Sequence, residues 1–389
     1  MVTITGIEQL RAHRAAGGDL RGALLVDIDL TAPDDDRLLR TALDGALLLG
    51  CTLTGPTRTR ADAAGALLFP EIPDLPYRPY RAALYTPAEL FTGFDPARPA
   101  SYADTLDARV YASVRAEGEH PGPLAALARR LHDHGIAEAL TDVLATAGPP
   151  VAVMGGHELA RDTAGYRAAV RLGQTLGRSS AGFTVLTGGG PGAMEAVPLG
   201  VRLSDQDIEE PLRTLATAPT FGNGGTTVDS TAIGRWLAAA GNVTLPADPT
   251  PRTIGIPTWF YGHEPPNPFV HLHAKYFANS VREDGLLTVA TGGVVYTPGS
   301  AGTVQEVFQD YTHNHYGSLG PPAPMVFLHK DFWVNEVPAA PLVRQLAQGR
   351  ESARWILVTD DVDEVIAFLE EYAATARPTP ALAPAVPRG

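Results

Sequence analysis

From residue 151 onward the chain alternates short apolar runs with amphipathic stretches, and three of the turns between them are dense in glycine. Runs at 151–154, 183–186, 252–257, 293–297, 325–328 and 355–358 have the length and composition of buried strands. Helices are expected over 163–177 and 268–283, and from residues 193 and 304 onward. Strand–helix alternation of this kind dictates a parallel sheet with right-handed crossovers and helices on both faces. The expected fold class is therefore α/β, a doubly wound parallel sheet. Ligands of such sheets bind at the carboxyl ends of the strands, where helix N-termini point.

Upstream, the pattern differs. Residues 23–30, 46–54 and 66–69 read as short strands between Asp-, Gly- and Pro-rich turns. Residues 70–99 are proline-rich and read as ordered coil, and 102–117 and Pro123–Leu144 read as helices. No internal repeat recurs at a fixed period. The Gly148-Pro149-Pro150 break suggests a boundary, giving a smaller α+β accessory region over 1–147, a ligand-binding domain over 148–373, and a flexible Pro/Ala-rich tail over 374–389.

Charge and rare residues exclude several function classes. The formal charge is −13, a poor match for long nucleic acid or an anionic membrane, whose neutralisation needs clustered bases. Of the 30 basic residues only Lys275 and Lys330 are lysines, and neither follows a glycine, so a Walker-type phosphate loop is absent. Cys51, the single cysteine, leaves no internal disulfide or thiolate metal cluster. No signal peptide is expected at the first residues, and no apolar stretch approaches the length of a membrane span, so a cytoplasmic protein is expected.

The glycine turns carry the chemistry. They are Met154-Gly155-Gly156-His157, then Gly188-Gly189-Gly190-Pro191-Gly192-Ala193-Met194-Glu195, then Pro298-Gly299-Ser300-Ala301-Gly302-Thr303-Val304-Gln305-Glu306. Glycine lets backbone approach a ligand closely, and unpaired N–H groups at a helix start favour an anion. Three such turns on one sheet edge point to a phosphorylated or polar ligand. The spacing is not that of a dinucleotide fingerprint, because Ala193 and Glu195 stand where a third glycine is required. Ser300 lacks the spacing of a hydrolase nucleophile elbow. Glu195 and Glu306 each fall in the first turns of a helix behind a glycine loop. Such acids either complement the helix dipole or act on a sugar, since paired acids serve in breaking glycosidic bonds. The His271/His273 and His313/His315 pairs are two residues apart, a spacing that on a helix does not chelate, and no metal site is expected. One of His313 and His315 is a candidate base contact, and Tyr311 and Tyr316 are expected to pack.

Together, residues 188–195, 254–270 and 298–306 resemble the "Lonely Guy" (LOG) family, also labelled lysine decarboxylases. That family carries a GGGPGxMEA turn, a PGGxGTxxE turn and, in longer members, a segment like IGxxxxxxxEQxPNxYV. Here the last reads Ile254-Gly-Ile-Pro-Thr-Trp-Phe-Tyr-Gly-His-Glu-Pro-Pro-Asn-Pro-Phe-Val270. The likeness covers residues 148–320. It implies a Rossmann-like fold, a homodimer or higher oligomer, no cofactor, and hydrolysis of the N-glycosidic bond of a nucleoside 5′-monophosphate. By position, Gly299, Ser300, Ala301, Gly302 and Thr303 would hold the phosphate, and Glu306 would be the catalytic glutamate. Gly155, Gly156, Gly189, Gly190, Gly192, Met194 and Glu195 would line ribose and base. Ser300 replaces the family's second glycine. The family's catalytic arginine stands fifteen residues before its proline, which here is Glu283. Arg282, one position away, either serves after a small shift or stands on the surface in the Arg282-Glu283-Asp284 run. Two other activities remain compatible with these loops: carriage of a nucleotide or molybdenum cofactor without catalysis, and binding of single-stranded DNA, against which the charge weighs.

Overall fold

The computed structural model describes residues 2–118, 121–156, 158–222, 228–247, 250, 252–260 and 264–375. His157 of the first glycine turn, residues 261–263 of the 254–270 segment and the tail from 376 onward lie outside the described residues. The chain divides into two units: Met1–Ala83 with Glu117–Ala139, and Leu84–Ala116 with Leu140–Gly389.

Among the described residues, the larger unit has a parallel sheet of seven strands. These are β1 (Pro150–Met154), β2 (Thr184–Thr187), β3 (Thr253–Gly255), β4 (Leu272–His273), β5 (Gly293–Tyr296), β6 (Met325–Leu328) and β7 (Ile356–Thr359). They lie in the order β4-β3-β2-β1-β5-β6-β7, so the winding reverses between β1 and β5. The doubly wound α/β fold is thus present. Thr-Val-Leu-Thr of β2, Gly-Val-Val-Tyr of β5 and Met-Val-Phe-Leu of β6 are buried at every position, as expected of strands covered on both faces.

Six helices matter to the site: α1 (Ala164–Arg178), α2 (Ala193–Arg202), α3 (Ser230–Gly241), α4 (Asn279–Val289), α5 (Ala301–Tyr316) and α6 (Val362–Thr375). The Thr163 hydroxyl caps α1 by accepting from the Tyr166 amide at 3.2 Å. Val170, Leu199, Val153, Val326 and Leu369 bring α1, α2, the sheet and α6 into one core. α1 and α2 cross at glycine. A Cβ on Gly200 would run into the Val170 carbonyl, and one on Gly173 into the Val197 carbonyl.

The helix expected over 268–283 begins only at Asn279. Residues 272–273 form β4 instead, with Leu272 beside Ile254 and His273 beside Gly255. The open edge of β3 supplies the reason. Its carbonyls take the amides of His271 (to Thr253, 3.1 Å) and Ala274 (to Gly255, 2.8 Å). Pro266 and Pro268 also disfavour helix just before it. Similarly, 102–117 divides into a 3-10 turn at Pro99–Asp104 and a helix at Leu106–Glu117.

In the smaller unit Thr3–Ile4, Leu24–Val26, Leu47–Leu49 and Leu67–Phe69 form a four-stranded parallel sheet in that order. Asp29–Leu30 and Thr52–Leu53 pair separately. Two of the expected strands therefore turn a corner midway, at Asp27 (φ 52°) and Gly50 (φ 65°). Three coils each open with Gly-Ala-Leu-Leu, at 22, 45 and 65, and stack with Leu24, Leu47 and Leu67 side by side. The repeat has unequal spacing, which hides it from a search at fixed period. Ile4, Leu25, Leu30 and Leu48 fill the interior. Within the same unit the Tyr77 ring meets His132 edge-on, 5.7 Å between centroids.

Candidate active site

The three glycine turns converge where the winding reverses. Gly156 joins them: its amide donates to the Pro298 carbonyl at 3.2 Å, and its carbonyl accepts from the Ala193 amide at 3.2 Å. The Thr297 amide and hydroxyl both donate to the Met154 carbonyl, at 2.9 and 3.0 Å. Gly155 is required by clearance, since a Cβ there would strike the Thr297 hydroxyl. In the second turn Gly189 and Gly192 adopt φ of +74° and +72°, the left-handed region that side chains rarely enter.

The third turn presents a helix N-terminus. Ser300 is the N-cap of α5 and makes no side-chain cap bond. Ser300, Ala301 and Gly302 are exposed and Thr303 is buried, its hydroxyl folded against Gly299. The first amides of a helix lack intrahelical acceptors and face its positive dipole end, so this turn offers an anion its N–H groups.

Arg282 does not stand on the surface. It lies in the first turn of α4, its Nε donating to the Ile256 carbonyl at 2.9 Å. Nη1 stands 3.8 Å from Oε1 of Glu306, and the two side chains are only 14% and 16% exposed. Burial pushes the Glu306 carboxyl up to about 7, helped by Glu283 and opposed by Arg282. One turn further along α5, Asp310 is buried and accepts from the Tyr296 hydroxyl at 2.7 Å. Burial lifts it to about 7 as well, with the Tyr296 bond acting against the rise.

The second turn is flanked by Arg282 and by a carboxylate to which the sequence reading assigned no role. A Cβ on Gly188 would lie 2.5 Å from Nη2 of Arg282 and 2.6 Å from Sδ of Met194. A Cβ on Gly190 would lie 3.0 Å from both Oε2 of Glu264 and Cε of Met194. These glycines thus leave room for Arg282, Met194 and Glu264 against the backbone. Asn267 anchors the Glu264 segment to this turn. Its amide donates to the Gly189 carbonyl at 2.9 Å and its Nδ2 to the Met194 carbonyl at 2.7 Å.

Glu195 points elsewhere. Fully buried, it forms a two-point ion pair with Arg161, from Nε to Oε2 at 3.1 Å and from Nη2 to Oε1. Arg161 also donates from Nη1 to the Trp236 carbonyl at 2.8 Å, and its Cζ lies 4.2 Å from the Trp236 ring centroid. A cavity of about 260 Å³ opens beside this stack, lined by Leu159, Pro191, Phe221 and Trp236 among others. The partner of Glu195 was missed, although a helix-start glutamate among apolar neighbours demands a counter-charge. A second buried pair, Lys275 with Asp107 at 2.5 Å, was missed too. Asp107 further accepts from the Trp259 indole and the Tyr102 hydroxyl, each at 2.9 Å.

His313 and His315 lie away from the turns. Both occupy the last turn of α5, roughly 18 Å along the axis from its start at 1.5 Å per residue. His313 meets Asp284 at 3.3 Å, and His315 meets the Tyr311 hydroxyl at 3.2 Å. Tyr311 is buried, as expected, whereas Tyr316 is exposed. His273 is buried, with burial lowering it to about 3. Among the described residues no group of three or more His, Cys, Asp or Glu is placed to hold a metal ion, and no helix is long and apolar enough to cross a membrane.

No family model matches the sequence, and no curated protein does. Solved structures do. The molybdenum cofactor binding protein from the phototrophic bacterium Rippkaea orientalis is 16% identical, over 58% of this chain and 98% of its own, with a TM-score of 0.37. The Moco carrier protein from Chlamydomonas reinhardtii is 16% identical, over 59% of this chain and 99% of its own, with a TM-score of 0.35.

Proposed function

We propose that the chain hydrolyses the N-glycosidic bond of a nucleoside 5′-monophosphate, releasing the free base and ribose 5-phosphate. The Glu306–Arg282 pair supports this activity most directly: a buried carboxyl and a guanidinium 3.8 Å apart, behind a helix start open to an anion. The 5′-phosphate rests on the amides of Gly299, Ser300, Ala301, Gly302 and Thr303, where backbone dipoles neutralise it without a lysine. Arg282 adds a fixed positive charge to the sugar phosphate. Gly155, Gly156, Gly189, Gly190, Gly192 and Met194 shape the remaining wall, while Glu195 contributes through Arg161.

Glu306 carries the proton transfers. Burial that lifts its carboxyl to about 7 suits it to give and take a proton near neutral pH. The protonated carboxyl gives its proton to the base as the C1′–N bond breaks and the electron pair leaves with the base. Water oxygen bonds to C1′, and the carboxylate recovers one proton from that water. The sum is one water consumed, one base protonated and one sugar hydroxyl formed.

The test is base release from AMP, GMP, CMP, UMP and IMP, followed by chromatography. Wild type is expected to release base from at least one, and Glu306→Gln to be slower by about 10²-fold or more. Binding by calorimetry without release would favour the second activity, carriage of a nucleotide or related phosphorylated cofactor. The cavity beside Arg161, whose glutamate is already neutralised, supports that alternative. Neither release nor binding would overturn both.

A further inference from the structure

We infer that Glu264 is the sugar-recognising residue of this site, accepting hydrogen bonds from the ribose hydroxyls and so selecting ribonucleotides over deoxyribonucleotides. The inference rests on the nucleotide activity proposed above. It goes beyond it by assigning a residue and a substrate preference.

Placement argues for it. Glu264 is half-buried and its Oε2 lies against Gly190, on the same glycine turn that Arg282 touches at Gly188. Met194 separates the two, its Sδ beside Gly188 and its Cε beside Gly190. Arg282 and Glu264 therefore flank the second turn at Gly188 and Gly190, and Arg282 also reaches Glu306 at 3.8 Å. Gly188 and Gly190 are two residues apart, which spans at most about 7 Å of chain. That is the scale of a single sugar ring between its phosphate and its base.

Chemistry then divides the labour. The Glu306 carboxyl, lifted toward neutrality by burial, is suited to moving a proton. A carboxyl group reaching in from another element brings two oxygens that can accept. A vicinal diol presents two donors at matching separation. The same logic places an acidic residue on ribose hydroxyls in dinucleotide sites.

The surroundings fix Glu264 where this requires. Asn267, three residues on, is tied to the turn through the Gly189 and Met194 carbonyls. Its own carbonyl accepts from Nε2 of His273 on β4 at 2.9 Å. Below, Lys275 is held by Asp107 and also feels the Glu264 charge. The carboxylate thus projects from a braced segment, which is what discrimination between two sugars demands.

The experiment compares kcat/KM for AMP, 2′-deoxy-AMP and 3′-deoxy-AMP in wild type, Glu264→Gln and Glu264→Ala, with thermal melts as a folding control. Wild type is expected to prefer AMP. Glu264→Ala is expected to lose about 30-fold or more on AMP and less than 3-fold on at least one deoxy substrate, collapsing the preference. Glu264→Gln, which keeps one acceptor, is expected to fall between, and it decides the matter if the alanine variant fails to fold. Equal losses on all three substrates, or none, would overturn the inference. If wild type cleaves nothing, calorimetry with ribose 5-phosphate and 2-deoxyribose 5-phosphate replaces the assay. A wild-type preference for ribose 5-phosphate that Glu264→Ala abolishes would sustain Glu264 while the hydrolytic activity falls. Equal affinities, or no binding of either, would overturn it.

Discussion

Glu306 and Glu195 look alike in the sequence, each an acid in the opening turns of a helix that follows glycines. The structure separates them by their partners. Glu306 sits across from Arg282 at 3.8 Å with its carboxyl raised to about 7, while Glu195 is locked on Arg161 with no exposed surface. Glu195→Ala is therefore expected to leave a buried guanidinium unpaired and to cost about 3–5 kcal/mol of stability, measured by urea unfolding. A variant that melts like wild type and merely binds nucleotide less well would refute this structural role. The raised carboxyls have an opposite signature. In the folded state Glu306 and Asp310 hold protons up to about 7, above their ordinary 4.5 and 3.8. Their contribution to stability is complete below those ordinary values and is lost as pH rises through 7. Glu306→Gln and Asp310→Asn are each expected to flatten that decline, by on the order of 3 kcal/mol between pH 4 and 8. An unchanged pH–stability curve in both would show that neither acid is perturbed. That Glu306 stands on the helix behind the Gly299–Thr303 turn was legible in sequence because the spacing is local. Arg161 was not, because it is 34 residues from Glu195 and nothing periodic links them.

At the scale of elements, the turns owe their positions to helices that pack without side chains in the way. α1 and α2 cross at Gly173 and Gly200, and this contact sets where α2 starts and hence where its glycine turn stands. Gly200→Ala would press a methyl into the Val170 carbonyl and within 2.9 Å of the Gln174 amide. Overpacking of this kind is expected to cost about 1–3 kcal/mol, and displacement of α2 to weaken nucleotide binding as well. Urea midpoints and calorimetry would check both, and an unchanged midpoint would mean the helices part at no cost. The sequence disclosed most of these elements, for strands such as Val-Ala-Val-Met and Met-Val-Phe-Leu are apolar throughout. It hid β4. A two-residue strand has no period of its own, and Leu272–His273 is a strand only because β3 offers it an unpaired edge.

At the scale of the whole molecule, each unit has a hydrophobic core of its own among the described residues. Stacked Gly-Ala-Leu-Leu coils build one, and the doubly wound sheet builds the other. The coils were readable singly as short strands. Their stacking was not, because the spacings of 23 and 20 residues obey no single period and pairing is set by corners at Asp27 and Gly50. A core for each unit implies a separate response to perturbation. Leu48 is 1% exposed in the coil core, so Leu48→Ala is expected to cost that unit about 2–5 kcal/mol. Differential scanning calorimetry should then show one transition lowered, with base release unaffected at temperatures below it. Conversely, AMP at a hundred times its dissociation constant should stabilise the sheet unit alone, by about 2.7 kcal/mol, because a ligand raises only the state that binds it. If instead AMP lifts both transitions equally, or Leu48→Ala abolishes release while the sheet unit remains folded, the coils take part in the site. Either result would give the coil unit a part in function.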